Sequence, residues 1–512
     1  MPDNLASFKV FCQGGLNTSR DVLSQGETQP GSATALINYE PAVTGGYRKI
    51  SGFANNYGTV TGTGSVLGVC VANGINDGIL ACRKPSSGNN YLHKWNNTSS
   101  AWDAVTTAGS PTMVGVTKVR FSRYNFGSPK VILTDGINPA ATYNGTTYTQ
   151  ITHADAPTDP KFSAIFQNHM FLAGDPAENT NLYFSAPYAE TDFSAGNGSG
   201  VINIGFPVVA IKTFRDALYI FGTNNIRKLV GNNISNFVLE TVTDDLGCLA
   251  TDSVIEIGGD LLFLSQDGLR PISGTAKIGD VNLETVSKDI QSIFTDIIFD
   301  IDLEGLNAIV IRQKTQFRYF FAGSDTQGII GGFRQTPNGL QFEYSQMLGI
   351  TATCADSGYI GQNEIVLHGT SAGKVQQQEV GNSFDGNNIL SIFQTPFFHM
   401  QDPEQRKVFY TVATYLRSEG DNSIVMSAVY DYEDVDTLNP TNFNLSTAGA
   451  AAYYNEATYN STAIFDGNPS PVQRTSISGS GKSASFRYVT NDSDASHSIQ
   501  GLVITFGVGD RL

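Results

Sequence analysis

Helical periodicity is almost absent from this chain, and that constrains its fold more than any motif does. Only Thr285 to Asp300 places apolar residues at helical spacing, with Val286, Ile290, Ile293 and Ile297 on one face. The rest reads as short strands separated by Gly, Asn and Asp turns, and the strands fall into clusters. The first cluster holds Val66–Val71, Gly78–Arg83, Tyr91–Trp95 and Trp102–Val105. The second holds Lys118–Phe121, Lys130–Leu133 and Ala141–Tyr143, with Asn144-Gly145 predicting a type I′ hairpin turn into Tyr148–Ile151. A third runs from Phe162 through His169–Asp175 to Leu182–Ser185, and a fourth covers Val208–Phe214, Ala217–Phe221 and Ile226–Val230. The fifth contains Ser253–Ile257 and Leu261–Ser265. Ala308–Ile311, Phe317–Phe321 and Ile329–Phe333 make the sixth, and Gly349–Ala355, Ile365–His368 and Val375–Glu379 the seventh.

Clusters of about four strands per 40 to 50 residues predict an all-β fold built on a β-propeller, of six, seven or eight blades. A pair of β-sandwiches is the alternative. After about residue 386 the strands lengthen, at Lys407–Leu416, Ser423–Tyr430, Ser485–Thr490 and Ser498–Gly507. This predicts a separate C-terminal antiparallel β-sandwich or platform. The expected division is an N-terminal arm over 1–60 contributing to the platform, a propeller over 61–385 and the C-terminal sheet domain over 386–512.

At 512 residues, 40% of them hydrophobic and 11% aromatic, the chain can bury a large core. Its net charge of -16 offers no basic patch for gripping nucleic acid, and suits either plain solubility or a wall past which phosphates slide. Five scattered cysteines, Cys12, Cys70, Cys82, Cys248 and Cys354, lack C-x-x-C spacing and predict buried thiols. Met1-Pro2-Asp3-Asn4 opens no basic-then-apolar leader, and no apolar run approaches the roughly 20 residues of a membrane span. A protein made in a cytoplasm, with no membrane span, is expected.

Catalytic patterns do not emerge. The six histidines form no metal-ligand spacing, and His169 and His368 sit in apolar runs where packed imidazoles are expected. Ser265-Gln266-Asp267-Gly268 resembles the start of a sialidase-type Asp box but breaks there, predicting a tight turn. The acidic runs Asp431-Tyr432-Glu433-Asp434-Val435-Asp436 and Asn491–Asp494 lack the full spacing of a calcium loop and predict solvated loops. No cofactor or metal is expected.

Several segments carry a resemblance. Gln13-Gly14-Gly15-Leu16-Asn17, then Asn38-Tyr39-Glu40-Pro41 and Thr44-Gly45-Gly46-Tyr47-Arg48-Lys49, look like the N-terminus of podophage tail nozzle (tail tubular protein B) and head-completion stabilisation proteins. Arg215-Asp216-Ala217-Leu218-Tyr219-Ile220-Phe221 resembles a blade of that family. Gly247-Cys248 followed by Phe263-Leu264-Ser265-Gln266-Asp267-Gly268 resembles another of its segments, and Ile504-Thr505-Phe506-Gly507 its closing strand. The islands keep their order along most of the chain. The resemblance implies a non-enzymatic virion protein: a homo-hexameric ring below the portal and the adaptor (head–tail connector), docking tail fibres or spikes. Phage DNA would pass through its channel without specific binding. In such a ring Asp431, Glu433, Asp434, Asp436, Asp300 and Asp302 are candidate channel-facing acids. A carbohydrate-binding or glycoside-hydrolysing propeller is the alternative function.

Overall fold

Short strands bounded by turn residues can pair into small sheets that pack face to face around a closed ring, leaving only short edges, and this chain does so. The computed structural model describes residues 5–43, 45–109, 111, 113–275, 285–300, 303–321, 328–336, 339–400, 402–434, 437–447, 451–452, 464–465 and 472–508. Six blades are sheets of their own. Blade 1 spans Thr63–Ala104, blade 2 Arg120–Gln150 with Thr106–Thr107 added at its edge, and blade 3 Phe162–Asn203. Blade 4 spans Ala210–Thr243 and blade 5 Ile255–Pro271. Blade 6 combines Cys354–Gln378 with Phe53–Ala54. Between blades 5 and 6 the ring is completed by a four-strand meander, Asn307–Met347, which continues outward into a larger sheet.

Each seam of the ring carries an apolar core or a hydrogen bond, and most carry both. Leu80 and Leu92 of blade 1 pack with Val131 and Tyr143 of blade 2. Phe171 and Phe184 of blade 3 pack with Ile211 and Leu218 of blade 4. Phe221 of blade 4 meets Phe263 of blade 5. Hydroxyls bridge the seams. Ser122 Oγ donates to Ser163 O at 2.9 Å, Thr213 Oγ1 to Ile165 O at 2.6 Å and Thr251 Oγ1 to Val209 O at 2.8 Å. Tyr319 OH donates to Ser253 O at 2.7 Å, Ser357 Oγ to Val310 O at 2.6 Å and Thr353 Oγ1 to Val66 O at 2.7 Å. The blade 1 to 2 seam uses backbone, Val119 N to Leu67 O at 2.8 Å. The circle closes with an N-terminal piece: Ala54 and Phe53 pair with Gln377 and Gln378 as the outer strand of blade 6.

Outside the ring two sheets face each other. One contains β1 (Leu5–Phe11), β2 (Lys407–Ser418), β3 (Val472–Ser476) and β4 (His497–Val508), in the spatial order β1, β4, β2, β3. The other has nine strands. From the meander it passes to Ala35–Ile37, Ile389–Gln394, Ala484–Asp492, Ser423–Tyr430 and Phe443–Ser446. Val412, Ile504 and Phe506 of the first sheet share one core with Phe393, Met426, Phe486 and Tyr488 of the second. The division expected at residue 386 does not coincide with a break between sheets, because this nine-stranded sheet runs across it. Phe53–Ala54, expected in the arm, belongs to blade 6.

The helical segment forms as Lys288–Ile290 in a tighter turn followed by Gln291–Asp300. Ile290, Ile293 and Ile297 are buried in the platform core and Val286 packs against it, as the spacing requires. The turn at Asn144-Gly145 is not type I′, which needs positive φ at both central residues. Tyr143 pairs with Tyr148, leaving four loop residues, and only Gly145 has positive φ. Asn144 Oδ1 instead accepts the Thr146 and Thr147 N–H groups at 2.9 and 2.8 Å, which stabilises the longer loop.

Candidate functional site

The inner strands of blades 1–4 and 6 and of the meander, with the turn before blade 5, line a central cavity of about 240 Å³. Charge is placed there by the loop and strand opening blade 2, which bring Lys118 and Arg120 to the lumen, and by the turn before blade 5, which brings Asp252. Lys118 Nζ lies 2.7 Å and Arg120 Nη2 2.8 Å from the same Asp252 oxygen, so two cations from one side of the ring clamp a carboxylate from the other. Arg120 also reaches Glu304 at 3.6 Å, and Lys161 pairs with Glu304. Lys118 further donates to the carbonyls of Leu306 and Glu304 at 2.8 and 3.1 Å, tying residues 303–306 to the lumen. Arg123 pairs with Asp356, which also accepts the Val71 N–H at 2.8 Å.

These contacts set the protonation states. Burial pushes the Asp252 carboxyl up, but Arg120 and Lys118 outweigh it and hold the group below its ordinary range. Glu304 follows the same pattern, with Lys161 and Arg120 overcoming burial. Asp252 and Glu304 are therefore anions held by cations. A glycosidase needs, beside one ionised carboxylate, a second carboxyl whose proton is retained for the leaving group.

A second charged cluster lies at the joint of ring and platform. Glu40 accepts from Lys314 at 2.6 Å and from Arg48 at 3.0 Å, and lies 3.5 Å from Arg318. Arg318 and Lys314 both pair with Glu379, and Arg48 with Glu419 at 2.6 Å. Three cations thus meet three carboxylates, with Arg318 wholly buried. Sequence reasoning passed over both clusters. The available signal was a cation inside an apolar strand, as in Phe317-Arg318-Tyr319.

The sequence-predicted acids that are described fall on two elements, the turn at 431–434 and the helix Gln291–Asp300. Asp431 accepts the N–H groups of Lys482 and Ser483 at 2.6 and 3.0 Å, from a distant turn, and the Thr437 hydroxyl of its own loop at 3.3 Å. Glu433 and Asp434 are exposed, and Asp300 ends the helix. Asp302 and Asp436 lie outside the described residues. His169 is buried against the Ser185 carbonyl at 2.6 Å and His368 against Gln378 at 3.3 Å, both as packed imidazoles. Gln266-Asp267 forms the tight turn between Ser265 and Gly268, with Asp267 paired to Arg270. All five cysteines are buried and free. Among the described residues no three His, Cys, Asp or Glu side chains gather as a metal site, and no helix is long and apolar enough to cross a membrane.

No family model and no curated protein matches the chain. Several solved structures are similar at low identity. An extracellular domain of a hybrid two-component system from B. thetaiotaomicron is similar at 13% identity and TM-score 0.41, over 70% of this chain and 42% of that one. An ancestral GH74 enzyme is similar at 9% identity and TM-score 0.39, over 72% of this chain and 53% of the other. The designed protein Ika8 is similar at 10% identity and TM-score 0.33, over 63% of this chain and 98% of its own. The chain thus spans only 42% and 53% of the first two structures. Likeness at this level carries no functional argument.

Proposed function

We propose that this chain is a structural subunit of the tail nozzle of a short-tailed, double-stranded DNA bacteriophage, and not an enzyme. Six copies would ring the DNA exit channel, with an adaptor protein above, fibres or spikes docked outside, and DNA passing without specific binding. The observation that carries the reading is where the family-like segments fall. Gly14 and Gly15 seat the N-terminal arm on the meander: Gly14 N–H donates to Glu343 at 2.7 Å, and Leu16 N–H to the Tyr344 carbonyl at 2.7 Å. Tyr39 and Tyr47 are wholly buried in the platform core, and Glu40 and Arg48 belong to the ion-pair cluster at the joint. The resemblance therefore follows the residues that join ring to platform, as expected for a part whose role is shape.

The propeller axis itself is no conduit. A cavity of about 240 Å³ crossed by the Arg120–Asp252 pair cannot admit a duplex whose major groove alone is about 12 Å wide. In this reading the DNA channel runs between copies. The carbohydrate-acting alternative lacks a proton-holding carboxyl at Asp252 and Glu304.

Cryo-EM of purified particles encoding the chain tests the reading. Six copies below the portal are expected, and particles lacking the chain should fill with DNA and then leak it. Particles complete without the chain would overturn the proposal.

A further inference from the structure

The propeller lumen carries a charge that its own walls do not neutralise. Three cations, Lys118, Arg120 and Lys212, and two carboxylates, Asp252 and Asp356, line the cavity of about 240 Å³. That balance is positive, inside a chain whose net charge is -16. Both carboxylates are already engaged. Asp252 is held by Lys118 and Arg120 at 2.7 and 2.8 Å, and Asp356 by Arg123. Lys212 stands apart. It sits in the middle of the first strand of blade 4, Ala210–Phe214, exposed on the cavity wall between buried Ile211 and half-buried Thr213. Among the described residues its ammonium has no hydrogen-bond or ion-pair partner. Glu256 and Asp356 attract it from beyond ion-pair distance while Arg123 and Arg312 repel it, so its surroundings leave the charge uncompensated.

A second donor belongs to the same cavity. Arg120 spends Nε and Nη2 on Asp252, with Nη2 also 3.6 Å from Glu304. Among the described residues its Nη1 has no acceptor. The paired geometry on Asp252 fixes the guanidinium plane, so these remaining N–H groups are held in place. Much of the wall around them is apolar, with Val69, Phe162, Ala210 and Val254. Charges in so confined a space are screened less than in bulk water. A lysine ammonium is a compact point charge with three donors, suited to an oxyanion.

We infer that the lumen binds one small oxyanion, a phosphate or a short dicarboxylate, with the Lys212 ammonium as its charge partner and Arg120 Nη1 as a further donor from blade 2. Size selects the class. Pockets for drug-sized ligands run to roughly 300–1,000 Å³, so about 240 Å³ suits an ion or a very small metabolite. Blades 2 and 4 are not neighbours in the ring, and an anion shared between them braces it from inside. The site lies within one copy of the chain and stands whether or not copies assemble as a nozzle.

Isothermal titration of the purified full chain with inorganic phosphate, and separately with succinate, tests it at an ionic strength held constant with chloride. At least one of the two should bind saturably at one site per chain, and should raise the thermal midpoint as a ligand of the folded state does. Lys212→Met should weaken that binding about ten-fold or more, the scale of one charge-assisted hydrogen bond. Lys212→Arg should retain most of it. Lys9→Met, which removes an exposed cation of the platform sheet, should leave it unchanged. Because Lys212 is exposed and unpaired, ligand-free Lys212→Met should melt where the native chain does. Saturation by one anion and not the other supports the site and identifies its ligand class. Saturation by neither overturns the inference, as does binding that Lys212→Met leaves intact. A ligand-free Lys212→Met chain whose midpoint falls by several degrees would make the lysine part of the fold's own packing and overturn it too.

Discussion

Arg318 shows what a single buried cation holds in place. Its guanidinium pairs with Glu379, lies 3.5 Å from Glu40 and donates to Gln378 at 2.8 Å, without solvent contact. Arg318→Met leaves two carboxylates short of a partner, and breaking a buried pair in this way costs about 3–5 kcal/mol. Urea unfolding at neutral pH should show that loss. The same cluster predicts acid lability. Burial would raise the Glu379 carboxyl, but Arg318 and Lys314 hold it down to about 2 against an ordinary 4.5. A depressed carboxyl contributes stability that is present above its ordinary value and lost as pH falls from about 4.5 toward about 2. His368 adds an earlier step: burial lowers it from 6.5 to about 4, so its neutral form stabilises the fold above 6.5 and the contribution disappears as pH falls to about 4. Unfolding midpoints measured from pH 7 to 2 should decline through both windows, and in Arg318→Met the lower window should flatten. Gly15 is a different kind of constraint. Its φ is +67°, and an added Cβ would sit 2.6 Å from Tyr344 N. Gly15→Ala should lower the thermal midpoint by several degrees, whereas Gly45→Ala, with open space around it, should cost only the backbone strain of its φ of +93°.

At the scale of elements, the helix and the strand clusters were legible because their signals are local. Ile290, Ile293 and Ile297 needed only their spacing to be assigned to a buried face, and all three are buried. Ile290→Ala should cost about 2–5 kcal/mol by leaving a cavity in the platform core. Phe299→Ser on the same helix should be nearly neutral, since Phe299 is 82% exposed. Denaturant titration of the two variants separates these outcomes. The seam hydroxyls offer a milder test: Thr213→Val removes one interblade bond and should cost about 0.5–1.5 kcal/mol. What sequence did not disclose was long-range. The pairing of Ile37 with both Gln346 and Ile392 joins positions hundreds of residues apart, and no local pattern marks it. Asp431 looked like a solvated acid, yet its carboxylate caps two N–H groups some fifty residues on. The lumen cluster was equally hidden, because Arg120 meets Asp252 only once the ring has closed.

For the whole molecule, the decisive feature is that ring and platform are not built from separate stretches of chain. Residues 5–54 supply β1 to the sheet containing β4, Ala35–Ile37 to the middle of the nine-stranded sheet, and Phe53–Ala54 to the outer edge of blade 6. The meander belongs at once to the ring, through Ser357 and Val310, and to the platform sheet, through Gln346 and Ile37. Neither part can therefore hide its edges alone: blade 6 would lose its closing strand, and the nine-stranded sheet would be cut between Met347 and Ile389. Domains that unfold separately require an interface that can part without exposing strand edges, and this one cannot. Calorimetry of the full chain should give a single transition whose van't Hoff and calorimetric enthalpies agree. Removing residues 1–56 should abolish the transition altogether instead of leaving a folded propeller, because both the ring closure and the platform centre go with them. Two resolved transitions in the full chain, or a truncated chain that still unfolds cooperatively, would show that ring and platform stand independently despite their shared sheet.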